Sequence, residues 1–137
     1  MRFMMLMIPK GYESAAPGTM PDPEAVKTMM QYNESLQKAG VLLDLNGLHP
    51  PSTGARVIFE GGRSRVVEGP FPGLKEVLGG YWMINVKSRE EAVEWASRCP
   101  SVGDATIEIR QVQEFEEFPE AVQKAASGFK EMQARAA

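Results

Sequence analysis

The sequence predicts an α+β fold in which two helices cover one face of an antiparallel sheet. Three observations carry this expectation. Apolar stretches of strand length recur near residues 3–8, 41–48, 81–86 and 105–112. Two amphipathic segments with their own start and stop residues lie between them, and Gly or Pro separates each element from the next.

The first stretch places Phe3, Met5 and Met7 on one face and Met4, Leu6 and Ile8 on the other. With both faces apolar, it belongs at the centre of the sheet. It is too short to span a bilayer, and Pro9, Lys10 and Gly11 end it. Its methionines are gap-filling core residues, since no His or Cys nearby completes a soft-metal shell. Residues 11–23 read as a loop. Asp22 then caps a helix whose first turn holds Pro23 and Glu24. Val26, Met29, Met30, Asn33 and Leu36 follow helical spacing, and Gly40 stops it. Asn33 interrupts the apolar stripe and reads as a hydrogen-bonded boundary amide, with a ligand contact as the alternative.

In 41–48, Val41, Leu43 and Leu45 are expected on one face and Leu42, Asp44 and Asn46 on the other, before His49, Pro50 and Pro51 end the strand. Residues 56–60 and 63–67 flank Gly61 and Gly62 as a hairpin, with Glu60 opposite Arg63 and Ile58 opposite Arg65. A Gly-Pro-Phe-Pro-Gly turn leads through a helical or irregular link, 74–78, to Gly79 and Gly80. Next comes a strand with Trp82, Ile84 and Val86 inward and Tyr81, Met83 and Asn85 outward. Ser88 and Glu91 form a capping box for a second helix, which buries Ala92, Val93, Trp95, Ala96 and Cys99 and stops at Pro100. The last strand, 105–112, turns Ile107 and Ile109 to the helices and Thr106, Glu108 and Arg110 away. Pro119 opens a tail helix reaching about Arg135, with Val122, Ala125, Phe129 and Met132 as its stripe.

This order gives a ferredoxin-like sheet with both helices on one face. The other face collects Asp44, Asn46, Tyr81, Met83, Asn85, Glu108 and Arg110, a mixture that suits contact with a second copy around a partly polar cavity. A homodimer is expected. Fifteen basic against eighteen acidic residues, a net charge of −3 and no basic block disfavour nucleic-acid binding. The single Cys99 excludes an internal disulfide framework and a multi-thiolate zinc site, and fits a reducing, cytoplasmic setting. No membrane segment, metal or cofactor is expected.

EGPF, LGGYWMINVKSREEAVEWASRCP, GVLLDLNGLHPP and ATIEIRQV together resemble the YCII-related proteins of the DGPF-domain group. The resemblance covers a domain at 1–112 and leaves a helical extension at 113–137. It implies a small dimeric α/β barrel of ferredoxin-like topology, mostly bacterial, often encoded near or fused to sigma factors. It also implies an alternative role, as a non-enzymatic accessory in sigma-factor-dependent transcription. Two departures stand out. Glu68 replaces the usual Asp before Gly-Pro-Phe, and the first helix lacks the His on which the founding YCII branch is thought to base an acid/base pair.

His49, the sole histidine, is the candidate general base, with Asp44 or Glu68 to orient it. The plainer reading is a strand-end ring beside two prolines. Glu68 has equal claims as a turn cap and as a pocket carboxylate. Asn46, Lys75, Tyr81, Glu108 and Arg110 are the candidate ligand-binding residues, with solvation of Lys75 and pairing of Glu108 with Arg110 as the structural readings. A cavity with His49 inside favours an enzyme of acid/base type, and a cavity with His49 in solvent favours a binding module.

Overall fold

Apolar on both faces, β1 (Arg2–Pro9) lies at the centre of the sheet in the computed structural model, which describes residues 1–100 and 103–136. β5 (Gly80–Asn85) and β6 (Ala105–Gln111) flank it, and β2 (Leu42–Gly47) adds outside β5. The order is β2-β5-β1-β6, antiparallel throughout, as ferredoxin-like topology requires. α1 (Pro23–Lys38) and α2 (Arg89–Ser97) cover one face. β3 (Ala55–Glu60) and β4 (Arg63–Glu68) form a separate hairpin sheet, with Glu60 opposite Arg63 and Ile58 opposite Arg65 as expected.

The core joins Phe3 and Met5 of β1 to Trp82 and Ile84 of β5, and Tyr32 and Leu36 of α1 to Ala92 of α2. Removing a buried aromatic or aliphatic side chain from such a site typically costs ~2–5 kcal/mol. Ile107 and Ile109 pack on this core, while Glu108 and Arg110 sit on the reverse face, opposite Leu6 and Met4.

Local signals set the helix ends. Asp22 accepts from Ala25 N–H at 3.3 Å, and Gly40 adopts φ 74° beyond the α1 C-terminus. Asp22→Ala should therefore destabilise by ~1 kcal/mol in a denaturant melt, with Asp22→Asn nearly neutral. Ser88 accepts from Glu91 N–H at 3.1 Å, but the Glu91 carboxylate reaches the Lys87 N–H rather than that of Ser88. The capping box is shifted by one residue at its reciprocal half.

Three expectations are corrected. In β2 the register slips between Leu42 and Asp44. Leu42 pairs with Ile84 on the helix side, Leu43 is exposed at the bulge, and the alternation restarts so that Asp44 and Asn46 face away and Leu45 faces inward. Val93 is exposed, because at this end of α2 the buried side turns toward Trp95, Ala96 and Cys99. The single tail helix is two, α3 (Glu120–Ala125) and α4 (Phe129–Ala136), interrupted where Gly128 takes φ 90°. Met132 of the tail stripe remains 68% exposed, so the domain does not cover it.

The chain beyond β6 is tied back by a bidentate pair in which Arg2 donates to both Glu114 oxygens at 2.7 and 2.9 Å. The hydrogen bond from Arg2 holds the Glu114 carboxyl below its ordinary 4.5. A depressed folded value means stabilisation that is present above 4.5 and lost as pH falls through the folded value. The pair is about a third exposed, so solvent screens it and the effect is small. Glu114→Gln should flatten the acid limb of the pH–stability curve, with little change at pH 7.

Candidate functional site

The residues that close the sheet at the β2–β5 edge are small because neighbouring chain segments leave no room. A Cβ on Gly80 would lie 2.8 Å from the Asn46 carbonyl oxygen, and one on Gly79 would lie 2.6 Å from the Pro9 ring. Neither glycine has a positive φ, so close packing rather than turn geometry demands them. This thin edge leaves space beside α1.

An apolar cleft of about 460 Å³ occupies that space. Its α1 wall carries Val26, Met29 and Met30, and its sheet wall carries Met7, Leu45 and Trp82 together with Gly47, Gly79 and Gly80. Thioethers on a helix flank make such a wall adaptable in shape. The chief polar side chain within it is Asn33, which is buried and accepts from Trp82 Nε1–H at 2.8 Å. The Asn33 amide NH₂ meets only Met30 Sδ, at 3.5 Å. It is thus a donor without a strong partner, facing an apolar space. Trp82 is further fixed by the edge of Tyr32, whose ring centroid lies 5.7 Å away, and burial pushes the Tyr32 phenol far above its ordinary value. Tyr32 donates to the Trp95 carbonyl at 2.7 Å.

Asn46 and Tyr81, both anticipated as ligand-binding residues, also line this cleft. By strand alternation their side chains turn to the open sheet face, so they meet the cleft through the main chain. On the open face Tyr81 Oη donates to Asp44 at 2.9 Å and accepts from Asn46 Nδ2 at 2.9 Å. Asp44, Asn46 and Tyr81 are therefore brought together. Arg110 and Glu108 pair with each other at 3.2 Å on β6, beyond β1. His49, Glu68 and Lys75 are all exposed. No hydrogen bond or ion pair among the described residues joins His49 to Asp44 or Glu68, or gives the Glu68 carboxylate a backbone N–H.

A hollow of about 560 Å³ between α2 and β6 contains none of the anticipated residues. Burial raises the thiol pKa of its Cys99, which disfavours the thiolate a nucleophile needs. Among the described residues no group of three or more His, Cys, Asp or Glu is placed to hold a metal ion, and no helix is long and apolar enough to cross a membrane.

Sequence reasoning singled out the open face and missed the cleft behind it. Asn33 was the available signal, as the one amide in an apolar helical stripe, but its spacing matches an ordinary boundary residue.

No curated protein matches the chain significantly. The family model of the YCII-related domain matches residues 1–116, a span that takes in the whole sheet, both covering helices and every wall of the cleft. With that match and the ferredoxin-like sheet, the chain belongs to the YCII-related domain family.

Proposed function

We propose that the protein binds a small, mostly apolar organic molecule bearing one hydrogen-bond acceptor in the cleft between α1 and the β2–β5 edge. The observation that carries this reading is the under-used Asn33 amide, held by Trp82 inside an apolar space of about 460 Å³. That volume falls within the range of small-molecule sites, which are typically apolar with few polar anchors. Binding is favoured over acid/base chemistry because the one imidazole, His49, is exposed and lacks a carboxylate contact. A panel of aryl ketones screened by thermal shift tests this. Stabilising members should lose their effect in Ala25→Phe, which fills the cleft. Equal stabilisation of that variant would refute the site.

The protein works as a homodimer in this reading. The open sheet face has Met4, Leu6, Ile8 and Met83 at its centre, with Asp44, Asn85, Glu108 and Arg110 around them, the arrangement of an apolar interface core inside a polar rim. The hairpin face bearing Val57, Phe59 and Val66 is also uncovered, and Phe59 is 78% exposed. A two-stranded ribbon has little stability by itself, so a second copy laid against the open face and hairpin would supply the missing cover. Leu6→Glu sets a carboxylate at the centre of that face beside Glu108 and should convert a dimer to a monomer at micromolar concentration in sedimentation velocity. A wild-type monomer at those concentrations would exclude this assembly.

A further inference from the structure

The Gly-Pro-Phe-Pro-Gly turn takes no part in the ketone-sized cleft, yet it is among the most tightly specified features of the chain. Gly69 donates its N–H to the Gly54 carbonyl at 2.8 Å. A Cβ on Gly69 would overlap the Pro51 carbonyl oxygen and lie 3.0 Å from that of Gly54. Arg56 stacks over the Phe71 ring at 4.6 Å and holds it in place. Opposite the turn, the 3₁₀ turn Tyr12–Ser14 is pinned by Tyr12 Oη, which donates to the Leu48 carbonyl at 2.6 Å. The loop expected at residues 11–23 thus supplies a built wall.

Between these walls lies a cleft of about 520 Å³, lined by Pro17, Phe71, Leu74, Glu13 and Ser52 among others. Among the described residues, two side-chain atoms are buried without any hydrogen-bond partner, Glu13 Oε2 and Ser52 Oγ, and both residues line this one cleft. A buried polar atom left unpaired costs free energy, and such atoms mark places where a partner is absent. A carboxylate only accepts, and a hydroxyl both accepts and donates. A group that donates to the carboxylate and either donates to or accepts from the hydroxyl satisfies both, and beside a carboxylate a cationic donor is bound most strongly. The aromatic ring and the prolines favour an organic body on that cation.

We propose that this cleft is a second small-molecule site, selective for an organic primary ammonium ion whose nitrogen donates to Glu13 and Ser52 while its apolar body lies against Phe71. The site is independent of the Asn33 cleft, and each can fail without the other.

Benzylammonium chloride is the probe, titrated into the full chain with backbone amide shifts as readout, alongside benzyl alcohol and sodium benzoate. Saturable shifts are expected at Glu13, Ser14, Phe71, Gly73 and Leu74. Glu13→Gln should weaken binding about tenfold or more, and Ser52→Ala several-fold, on the scale of charge-assisted and ordinary hydrogen bonds. Benzyl alcohol should bind more weakly than the ammonium ion, and benzoate should leave these amides unmoved. The proposal is overturned by absent or unsaturable shifts, by shifts centred on Trp82 and Gly80, or by affinity unchanged in Glu13→Gln. Should that variant fold poorly, the comparison of the three probes on the wild type decides, and equal binding of alcohol and ammonium would overturn it.

Discussion

Gly69→Ala is expected to destabilise the protein by ~3 kcal/mol or more, at or above the upper end of ordinary overpacking costs. Gly69 is not among the glycines with positive φ, so close packing rather than a left-handed backbone excludes a side chain there. The added methyl collides with main chain, the Pro51 carbonyl, and Pro51 cannot retreat easily because Pro50 beside it is fully buried. Relief therefore requires the whole Gly-Pro-Phe turn to move away from the 3₁₀ turn Pro51–Thr53. A thermal melt should show a fall of roughly 10 °C. The same displacement opens the ammonium cleft, so benzylammonium binding should be lost in a variant that is still folded at low temperature. A Gly69→Ala protein of wild-type stability would mean that the turn is not seated as described.

The second large effect is expected at the Asn33–Trp82 pair. Trp82→Ala removes a buried aromatic from the centre of the core and should cost ~3–5 kcal/mol. Asn33→Leu is nearly isosteric but leaves the Trp82 indole N–H buried and unpaired, at a cost of ~1–3 kcal/mol. Trp82→Phe removes the donor from the other side. A double-mutant cycle of Asn33→Leu with Trp82→Phe should show coupling, the double variant losing less than the sum of the singles, because neither is then left with an orphaned polar group. Additive losses would mean that the 2.8 Å hydrogen bond contributes nothing measurable. Both Asn33→Leu and Trp82→Phe should also weaken binding of acceptor-bearing ligands, the first directly and the second by releasing the Asn33 side chain.

The fold was legible because its elements carry end signals with one physical meaning each. Asp22 before Pro23, Gly40 after a helix and Ser88 ahead of Glu91 bound two helices, and the double-sided apolar run of β1 places it centrally. The bulge in β2 was not legible, because Val41, Leu42 and Leu43 are all apolar and either phase of alternation satisfies them. Only Asp44 and Asn46, being polar, fix the outer half, and both face away from the helices as alternation predicts. In the tail, spacing carried the stripe across Gly128, whereas its left-handed backbone breaks the helix there. The open-face group of Asp44, Asn46 and Tyr81 followed from alternation alone. The cleft did not, since it arises where α1 stands off a glycine-thinned sheet edge, a distance that neither element encodes by itself. Methionines lining a cleft and methionines filling a core have the same spacing.

The role proposed for Asn33 is to present its amide to a ligand inside the α1 cleft. Its most direct test is the indole N–H resonance of Trp82 and the amide of Gly80, followed while acetophenone is titrated into the native protein. Saturable shifts of both signals, abolished in Ala25→Phe and weakened in Asn33→Leu, are the predicted result. Signals that stay fixed while acetophenone binds elsewhere, or that move identically in the filled variant, would contradict it.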